Sequence, residues 1–198
     1  MVAGHSGERC KDCKKIVKAL LEKLFGPVEE NHQFQAGTLP DDYVRTGSHA
    51  ALSEIFGVLQ RHRGFRVFVR AAVLPKSDFY VPKARRLFEF DESQHFTEPR
   101  KLSLDNYPKG MAIGFCKADW MGLCSEIHAR DNDPPYRDEQ RAWYDTLRDF
   151  LPETQGLEPT VRIHSKAMRW CELDPKNPAD VDRFKRHIET SIERGRTG

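Results

Sequence analysis

The chain lacks any long apolar run, and this absence limits the classes of protein to which it can belong. No stretch approaches the roughly 20 apolar residues that a helix needs to cross a bilayer. Its polar beginning, residues 1–15, has no apolar core of the kind that a signal peptide carries. The sequence therefore predicts a soluble, cytoplasmic protein with no membrane partner.

An excess of charge of one sign is also missing. The 32 lysines and arginines nearly balance the 30 aspartates and glutamates, which leaves a net charge of +2. This balance excludes a strongly polycationic protein, but it allows nucleic-acid binding if the basic residues gather on one surface. With 198 residues, of which 38% are hydrophobic, the chain is long enough for one domain with a real core.

Cysteine is scarce, since the chain has five, scattered and odd in number, and this pattern fits a reducing compartment. Cys10 and Cys13 form its one CxxC pair, and Cys116, Cys124 and His128 would complete a tetrahedral zinc site. Helical spacing offers another interpretation, because it places both members of the pair on an apolar stripe where thiols pack as small apolar groups. Structural Zn2+ is therefore a secondary prediction.

Apolar spacing and turn residues predict an alternation of helices and strands. Helices are predicted over residues 9–25, 48–62, 120–129 and 136–151, and a last, surface helix over 179–195. Strands are predicted over 66–73, 110–115 and 160–164, with a hairpin whose turn is residues 82–85. Segments 27–47 and 96–109 are polar and contain proline, so we expect connections there. In the fourth helix, Trp143 is expected to face inward with Leu147 and Phe150.

The hairpin is the most informative part of the chain, because it gathers carboxylates. Alternation sends Glu89 and Asp91 to one face of a strand, and Phe88 and Phe90 to the other. An antiparallel register across the turn places Asp78 opposite Glu89. Acids this close repel, so a fold keeps them when a divalent cation neutralises them or when one holds a proton for catalysis. A solvated edge strand is the alternative.

A family resemblance rests on this hairpin and on the order of the elements around it. Residues 78–82, residues 87–91 and the following His95 resemble the Vsr-like branch of the PD-(D/E)XK nuclease superfamily, in which an Asp-Phe strand leads to a strand ending in Glu-x-Asp. The helix around residues 137–141 and the strand 161–163 resemble the elements that close that fold. The similar region is residues 48–170.

The resemblance implies an α/β fold with a restriction-endonuclease-like core, in which a mixed β-sheet is flanked by helices, with extra N- and C-terminal helices. It divides the chain into an N-terminal helix and polar connection (1–47), a nuclease-like core (48–173) and a C-terminal surface helix (174–198). It further implies a metal-dependent DNA endonuclease, a hydrolase of phosphodiester bonds that uses Mg2+ or Mn2+.

The resemblance also suggests a role for each residue of the site. Asp78 and Glu89 are the predicted metal ligands, and Asp91 is either a third ligand or an acid that orients a base. Many members of the superfamily have a lysine where this chain has Asp91, so His95 is predicted to act as the proton relay instead. Its alternative is an ordinary histidine.

Two further residues are predicted to support the site. Gln94 would orient a water or a phosphate oxygen. Glu54 borders the apolar stripe of the second helix, and the equivalent helix of the family carries a supporting acid, so its carboxylate is expected near the sheet. The alternative for Glu54 is a partly exposed helix residue.

Basic residues in three places are predicted to hold the DNA backbone: Arg63 after the second helix, Lys83 and Arg85 in the hairpin turn, and Arg100 and Lys101 beyond it. Their alternative is ordinary solvated surface. For the whole protein, the alternative is a non-catalytic nucleic-acid-binding or zinc-stabilised interaction module on the same fold, which the missing lysine favours.

Overall fold

The computed structural model describes residues 12–197, and it is built on one four-stranded mixed sheet. The strands, in their order across the sheet, are β1 (Glu29–His32), β2 (Ser77–Val81), β3 (Arg86–Asp91) and β4 (Glu158–His164). The first three are antiparallel, and β4 lies parallel to β3. The predicted α/β class is confirmed.

Helices cover both faces of this sheet. The described residues form α1 (Cys13–Phe25), α2 (His49–Arg63), α3 (Glu98–Asp105), α4 (Lys117–Ile127), α5 (Arg137–Gln155) and α6 (Pro178–Thr197). Helices α2 to α5 share one buried apolar cluster, while α1 and α6 form a second cluster with the opposite face. None of these described helices has the length and apolar character to span a membrane.

The hairpin has the predicted register. Tyr80 pairs with Leu87 and Val81 with Arg86, on either side of a short turn. Phe88 and Phe90 are buried among the side chains of α1 and α6, and Leu87 is buried on the opposite face. Alternation therefore predicts this strand well, because each of its faces meets a different helical layer.

Helix α1 ends where the backbone requires a residue without a side chain. Gly26 has φ of 92°, a conformation that costs other residues energy. Before it, Val17, Leu20 and Leu21 are fully buried on one face. The predicted start of this helix, residues 9–11, lies outside the described residues.

Helix α5 confirms the predicted fourth helix and extends it by one turn. Trp143 is fully buried, and its indole Nε1 donates a hydrogen bond to the carbonyl of Thr38 at 2.7 Å. The last helix is confirmed too, although its thin stripe is more buried than a surface helix suggests, since Phe184 and Ile188 pack in the second cluster.

The predicted strand 66–73 is wrong. Only Val73 bridges another backbone segment, at Gly37, and elsewhere in the segment side chains of α5 bond its backbone. Gln140 Nε2 donates to the carbonyl of Phe68 at 2.8 Å, and the amides of Arg70 and Ala71 donate to the hydroxyl of Tyr144. Within this segment, Phe68 is fully buried, whereas Val67 is 64% exposed, so its β-branched residues do not mark a sheet strand.

The predicted strand 110–115 is also wrong. Its one backbone bond towards β4 runs from the amide of Gly114 to the carbonyl of Thr160, at 3.2 Å. Gly114 lies so close that a Cβ there would stand 2.8 Å from this oxygen. The segment therefore passes over the end of the sheet as a loop and does not extend it.

Both predicted connections contain regular structure. Strand β1 lies inside the segment 27–47, and its polar sequence gave no alternation because it is an exposed edge strand. Helix α3 lies inside 96–109. Pro99 occupies its first turn, where the backbone N–H that proline lacks would have no partner within the helix. Thr97 caps this helix by accepting from the amide of Arg100 at 3.3 Å.

Candidate functional site

Strands β2 and β3 bring Asp78 and Glu89 together at the end where their pairing stops. The ladder extends only to Phe79 and Phe88. Beyond it, the Asp78 amide lies 3.4 Å from Glu89 Oε1, and Asp78 Oδ2 accepts the amide of Phe90 at 2.9 Å. Side-chain oxygens thus replace the backbone ladder at this point.

Each of these two carboxylates lies next to a cation. Lys14, on α1, places its Nζ 2.6 Å from Asp78 Oδ1. Arg148, on α5, places its Nε 3.5 Å from Glu89 Oε1. Asp78 is the more accessible acid, since its side chain is 24% exposed and that of Glu89 only 5%. A ligand from solvent would therefore meet Asp78 first.

Glu89 is poised to exchange a proton near neutral pH. Burial raises the pKa of its carboxyl to about 7, against the opposing effect of the Arg148 guanidinium, and the negative charge of Asp78 raises it further. The carboxyl therefore holds a proton in part of the molecules at neutral pH.

Asp91 does not lie where it could act as a third metal ligand. It is buried, its Oδ1 accepts from Arg162 Nη1 at 2.9 Å, and its Oδ2 accepts from the Trp120 indole at 2.7 Å. Among residues 12–197, no three His, Cys, Asp or Glu side chains are arranged to hold a metal. Both of its oxygens are committed to fixed donors, so the prediction of Asp91 as a ligand is corrected.

His95 is paired with an acid from α5. Its Nδ1 lies 2.8 Å from Asp145 Oδ2 and 3.7 Å from Asp91 Oδ1. Burial opposes the charged ring, yet Asp145 outweighs it and raises the pKa of His95 above its usual value. The imidazolium form is therefore favoured, so the ring is better suited to donate a proton than to accept one. Because Nδ1 faces Asp145, a substrate would exchange the proton with Nε2.

The two predicted supporting residues are not brought to the site. Glu54 is exposed on α2, which packs on α3 and α5, so its prediction is corrected. It follows Ser53 and precedes the buried Ile55, and neighbouring helical positions point about 100° apart. Gln94 turns its amide towards Glu92, with Nε2 3.4 Å from Oε2, rather than towards the two strand acids.

Most predicted contacts to nucleic acid have structural partners instead. Arg100 is buried, and its Nη2 donates to Asp149 at 2.6 Å. Arg63 donates from Nε to Glu139 at 2.6 Å. Arg85 donates to the carbonyl of Gly156. The predictions that Arg100 and Arg63 are free to bind phosphate are therefore corrected, whereas the exposed Arg85 stays a prediction.

Of the two remaining lysines, Lys83 is exposed and Lys101 is half-buried. Lys83 is in the hairpin turn, at the opposite end of β3 from Glu89. The four residues from Arg85 to Glu89 span about 13 Å. Lys83 is therefore too remote to act on a group that lies next to the two acids.

Charged residues of α5 are the part of the site that sequence reasoning missed. Arg141, Asp145 and Arg148 recur at helical spacing on a face that is buried against the sheet. Arg162 of β4 joins them, since its Nε bonds Asp149 at 2.8 Å. The sequence signal that could have found these residues is a stripe of charged side chains at helical spacing beside the apolar stripe of α5.

The proposed zinc ligands are not brought together. Cys13 forms a disulfide and is buried with α1 and α6, whereas Cys124 is buried on the opposite face of the sheet. His128 is exposed at the end of α4, and Cys116 precedes that helix. Cys10 lies outside the described residues.

The arrangement as a whole brings two strand carboxylates to one end of the hairpin and pairs an imidazole ring with Asp145. Asp145 and Arg162 fix its buried side, while Asp78 and the His95 ring, which is 19% exposed, define its open side. No family model, no curated protein and no solved structure matches the chain, so its function has to be inferred from this chemistry.

Proposed function

We propose that the protein is a metal-dependent DNA endonuclease with a restriction-endonuclease-like core, in which Asp78 and Glu89 bind the cation. The observation that carries this proposal is the convergence of the two acids at the end of the β2–β3 ladder. Such a cation, Mg2+ or Mn2+, would polarise a phosphoryl oxygen and lower the pKa of a bound water.

The donor set fits a hard cation of this kind. Mg2+ is usually held by one or two carboxylates, keeps several waters and takes further oxygens from substrate phosphates, so a third protein ligand is not required. Asp78 Oδ1 is available by exchange, because Lys14 that occupies it is a surface side chain with 39% exposure. Asp78 Oδ2 keeps its bond from the Phe90 amide, which fixes the orientation of the carboxylate.

His95 would supply the proton for the leaving oxygen. Its pairing with Asp145 favours the imidazolium, and general-acid catalysis needs a donor that is protonated near the working pH. Arg162 bonds Asp91, whose Oδ1 lies 3.7 Å from the His95 ring nitrogen, and so fixes the position of that acid beside the ring. In this scheme Asp91 is a positioning residue, not a ligand.

A supercoiled-plasmid assay with Mg2+ and Mn2+ tests the proposal. The wild-type protein is expected to nick or linearise DNA, and Asp78→Asn is expected to abolish cleavage, because an amide keeps the size but loses the charge that binds a hard cation. Asp182→Asn is the matched control, since Asp182 is an exposed aspartate of α6. Equal cleavage by wild type and Asp78→Asn, or none by wild type, would show that the proposal is wrong.

The second candidate is a nucleic-acid-binding module without catalysis. It is favoured by the fact that four acids already have cationic partners: Asp78 with Lys14, Glu89 with Arg148, Asp91 with Arg162, and Asp145 with His95. A cluster neutralised in this way does not need a metal to be stable. Such a module would bind DNA equally well with chelator present and would show no heat of Mn2+ binding.

A further inference from the structure

A surface of arginines and aromatic rings lies where α2 ends and α5 begins. Gly64 ends α2 in the left-handed region, with φ of 79°, and the chain that follows passes Tyr136, the residue before α5. The members of this arginine–aromatic surface are Arg61, Phe65, Arg66, Val67, Arg70 and Tyr136. None of them has a role in the proposed cleavage reaction.

The rings of this surface are fixed in place, yet both are only half-buried. The Phe65 ring meets the Tyr136 ring edge-on, with the two centroids 6.2 Å apart. The guanidinium of Arg70 lies 5.0 Å from the Tyr136 centroid, and its Nε donates to the Tyr136 hydroxyl at 2.8 Å. Val67, two residues after Phe65, is 64% exposed. Partly exposed rings among arginines are the groups on which unpaired nucleic-acid bases stack.

The backbone of this surface is held before any ligand binds. Gln60, on α2, donates from Nε2 to the carbonyl of Arg66 at 2.8 Å. Gln140, on α5, donates from Nε2 to the carbonyl of Phe68, also at 2.8 Å. Because the segment is already ordered, a ligand that binds it pays little of the entropy that ordering a loose segment would cost.

The charges of this surface favour an anionic partner. Three of its arginines are exposed and form no ion pair among residues 12–197: Arg61, Arg66 and Arg70. The acids at the start of α5 are already neutralised, since Arg63 lies within ion-pair distance of both Asp138 and Glu139. Asp131, in the loop before α5, pairs with Arg141.

Two exposed acids of α2 and of the loop before α5 have no cationic partner in the described part of the chain, Glu54 and Asp133. Glu54 lies two helical turns before Arg61, about 10 Å along α2. These two charges reduce the positive charge of the three arginines but do not cancel it. Guanidinium groups bind phosphate through paired hydrogen bonds and also stack on flat rings, so a nucleic acid uses both properties, whereas an acidic peptide uses one.

We propose that the arginine–aromatic surface binds a single-stranded stretch of DNA, whose bases pack on Phe65 and Val67 and whose phosphates pair with Arg66 and Arg70. The choice of DNA rests on the proposed nuclease function. Tyr136 lies nine residues before Asp145, the partner of His95, which is about 14 Å along α5. At about 3.4 Å per nucleotide, this distance corresponds to about four nucleotides of one strand. One strand would therefore reach both places.

Fluorescence anisotropy with a labelled single-stranded oligodeoxynucleotide, and with the same sequence as a duplex, tests this inference in chelator, where no cleavage occurs. Phe65→Leu removes the ring but keeps an apolar side chain, and Phe25→Leu, at a half-buried position of α1, is its matched control. Arg66→Gln removes a charge at an exposed position where folding is not at risk, and Arg183→Gln, exposed on α6, is its control.

We expect the wild type to bind the single strand at least about threefold more tightly than the duplex, because only unpaired bases offer their faces. Phe65→Leu should weaken single-strand binding about fivefold. Arg66→Gln should weaken it about threefold and reduce the slope of log affinity against log salt by about 0.7. Both controls should stay within about twofold of the wild type.

Three results would overturn the inference: no binding of the single strand, tighter binding of the duplex, or single-strand binding that neither Phe65→Leu nor Arg66→Gln weakens. Binding of phosphatidylserine vesicles but not of the oligonucleotide would overturn it as well. Single-strand binding that both variants weaken, without plasmid cleavage, would keep this surface and refute the nuclease. Plasmid cleavage together with single-strand binding that both variants leave unchanged would do the reverse.

Discussion

At the scale of single residues, the proposed metal binding would exchange one cation for another. Lys14 Nζ lies on Asp78, while Arg148 and Arg162 neutralise the acids behind it. Lys14 is the exchangeable partner, since its side chain is 39% exposed and those of Arg148 and Arg162 are 10% and 0% exposed. On this proposal, a divalent cation would compete with the Lys14 ammonium group for Asp78.

Replacing Lys14 should tighten metal binding. Lys14→Gln removes the competing charge, and a partly exposed ion pair is worth up to about 1 kcal/mol, so Mn2+ affinity should rise about three- to fivefold. Lys15→Gln is the control, because Lys15 is 76% exposed and pairs only with Asp12 among the described residues. Calorimetric titration measures both. An affinity that falls or does not change in Lys14→Gln would show that the lysine does not compete for the cation position.

Glu89 should make stability depend on pH. Its folded pKa is raised to about 7 by burial, so the folded protein binds a proton that the unfolded chain releases from about pH 4.5 upward. The contribution of Glu89 to the unfolding free energy therefore falls as the pH rises from about 4.5 to about 7. Glu89→Gln cannot ionise and should gain, relative to wild type, on the order of 2–3 kcal/mol of unfolding free energy between pH 5 and pH 8.

Urea denaturation of both proteins at the two pH values measures this difference, and titrations of other groups cancel in the comparison. If the unfolding free energies of wild type and Glu89→Gln change with pH in parallel from pH 5 to pH 8, Glu89 is ionised throughout this range and the prediction is wrong. The same proton must leave when a cation binds, so Mn2+ affinity should rise with pH up to about 7.

At the scale of elements, the sequence predicts helices and strands that show a local apolar periodicity. It misses elements whose conformation depends on contacts with residues far along the chain. The hairpin could be predicted because Phe88 and Phe90 alternate with acids. Segment 66–73 could not, because Gln140 and Tyr144 of α5 bond its backbone from more than 70 residues away. The site follows the same rule. Asp78 and Glu89 are local to one hairpin, whereas their partners lie on other elements.

Helix α5 is the element on which both the fold and the site depend, and Trp143 tests its packing. Trp143→Ala should lower the unfolding free energy by about 3 to 5 kcal/mol, through lost burial and an unfilled cavity. It also leaves the Thr38 carbonyl without its donor. Val67→Ala, at a 64% exposed position, is the control and should change stability by less than about 0.5 kcal/mol. An unchanged urea midpoint for Trp143→Ala would mean that α5 packs through another face.

At the scale of the whole molecule, the terminal helices belong to the site as much as the central ones do. Helix α1 carries Lys14 to Asp78, and α6 packs with α1 over the sheet face that holds Phe88 and Phe90. The family resemblance covers neither helix, so it could not indicate their part.

The central claim is that Asp78 and Glu89 hold one divalent cation, and anomalous diffraction from a crystal soaked in Mn2+ tests it most directly. The account predicts a single strong peak within coordination distance of both carboxylates, with the Lys14 ammonium displaced and Asp91 still bonded to Arg162. It also predicts that the peak is lost in Asp78→Asn. A crystal that shows no Mn2+ peak between these two side chains, or one coordinated by other residues, would contradict it.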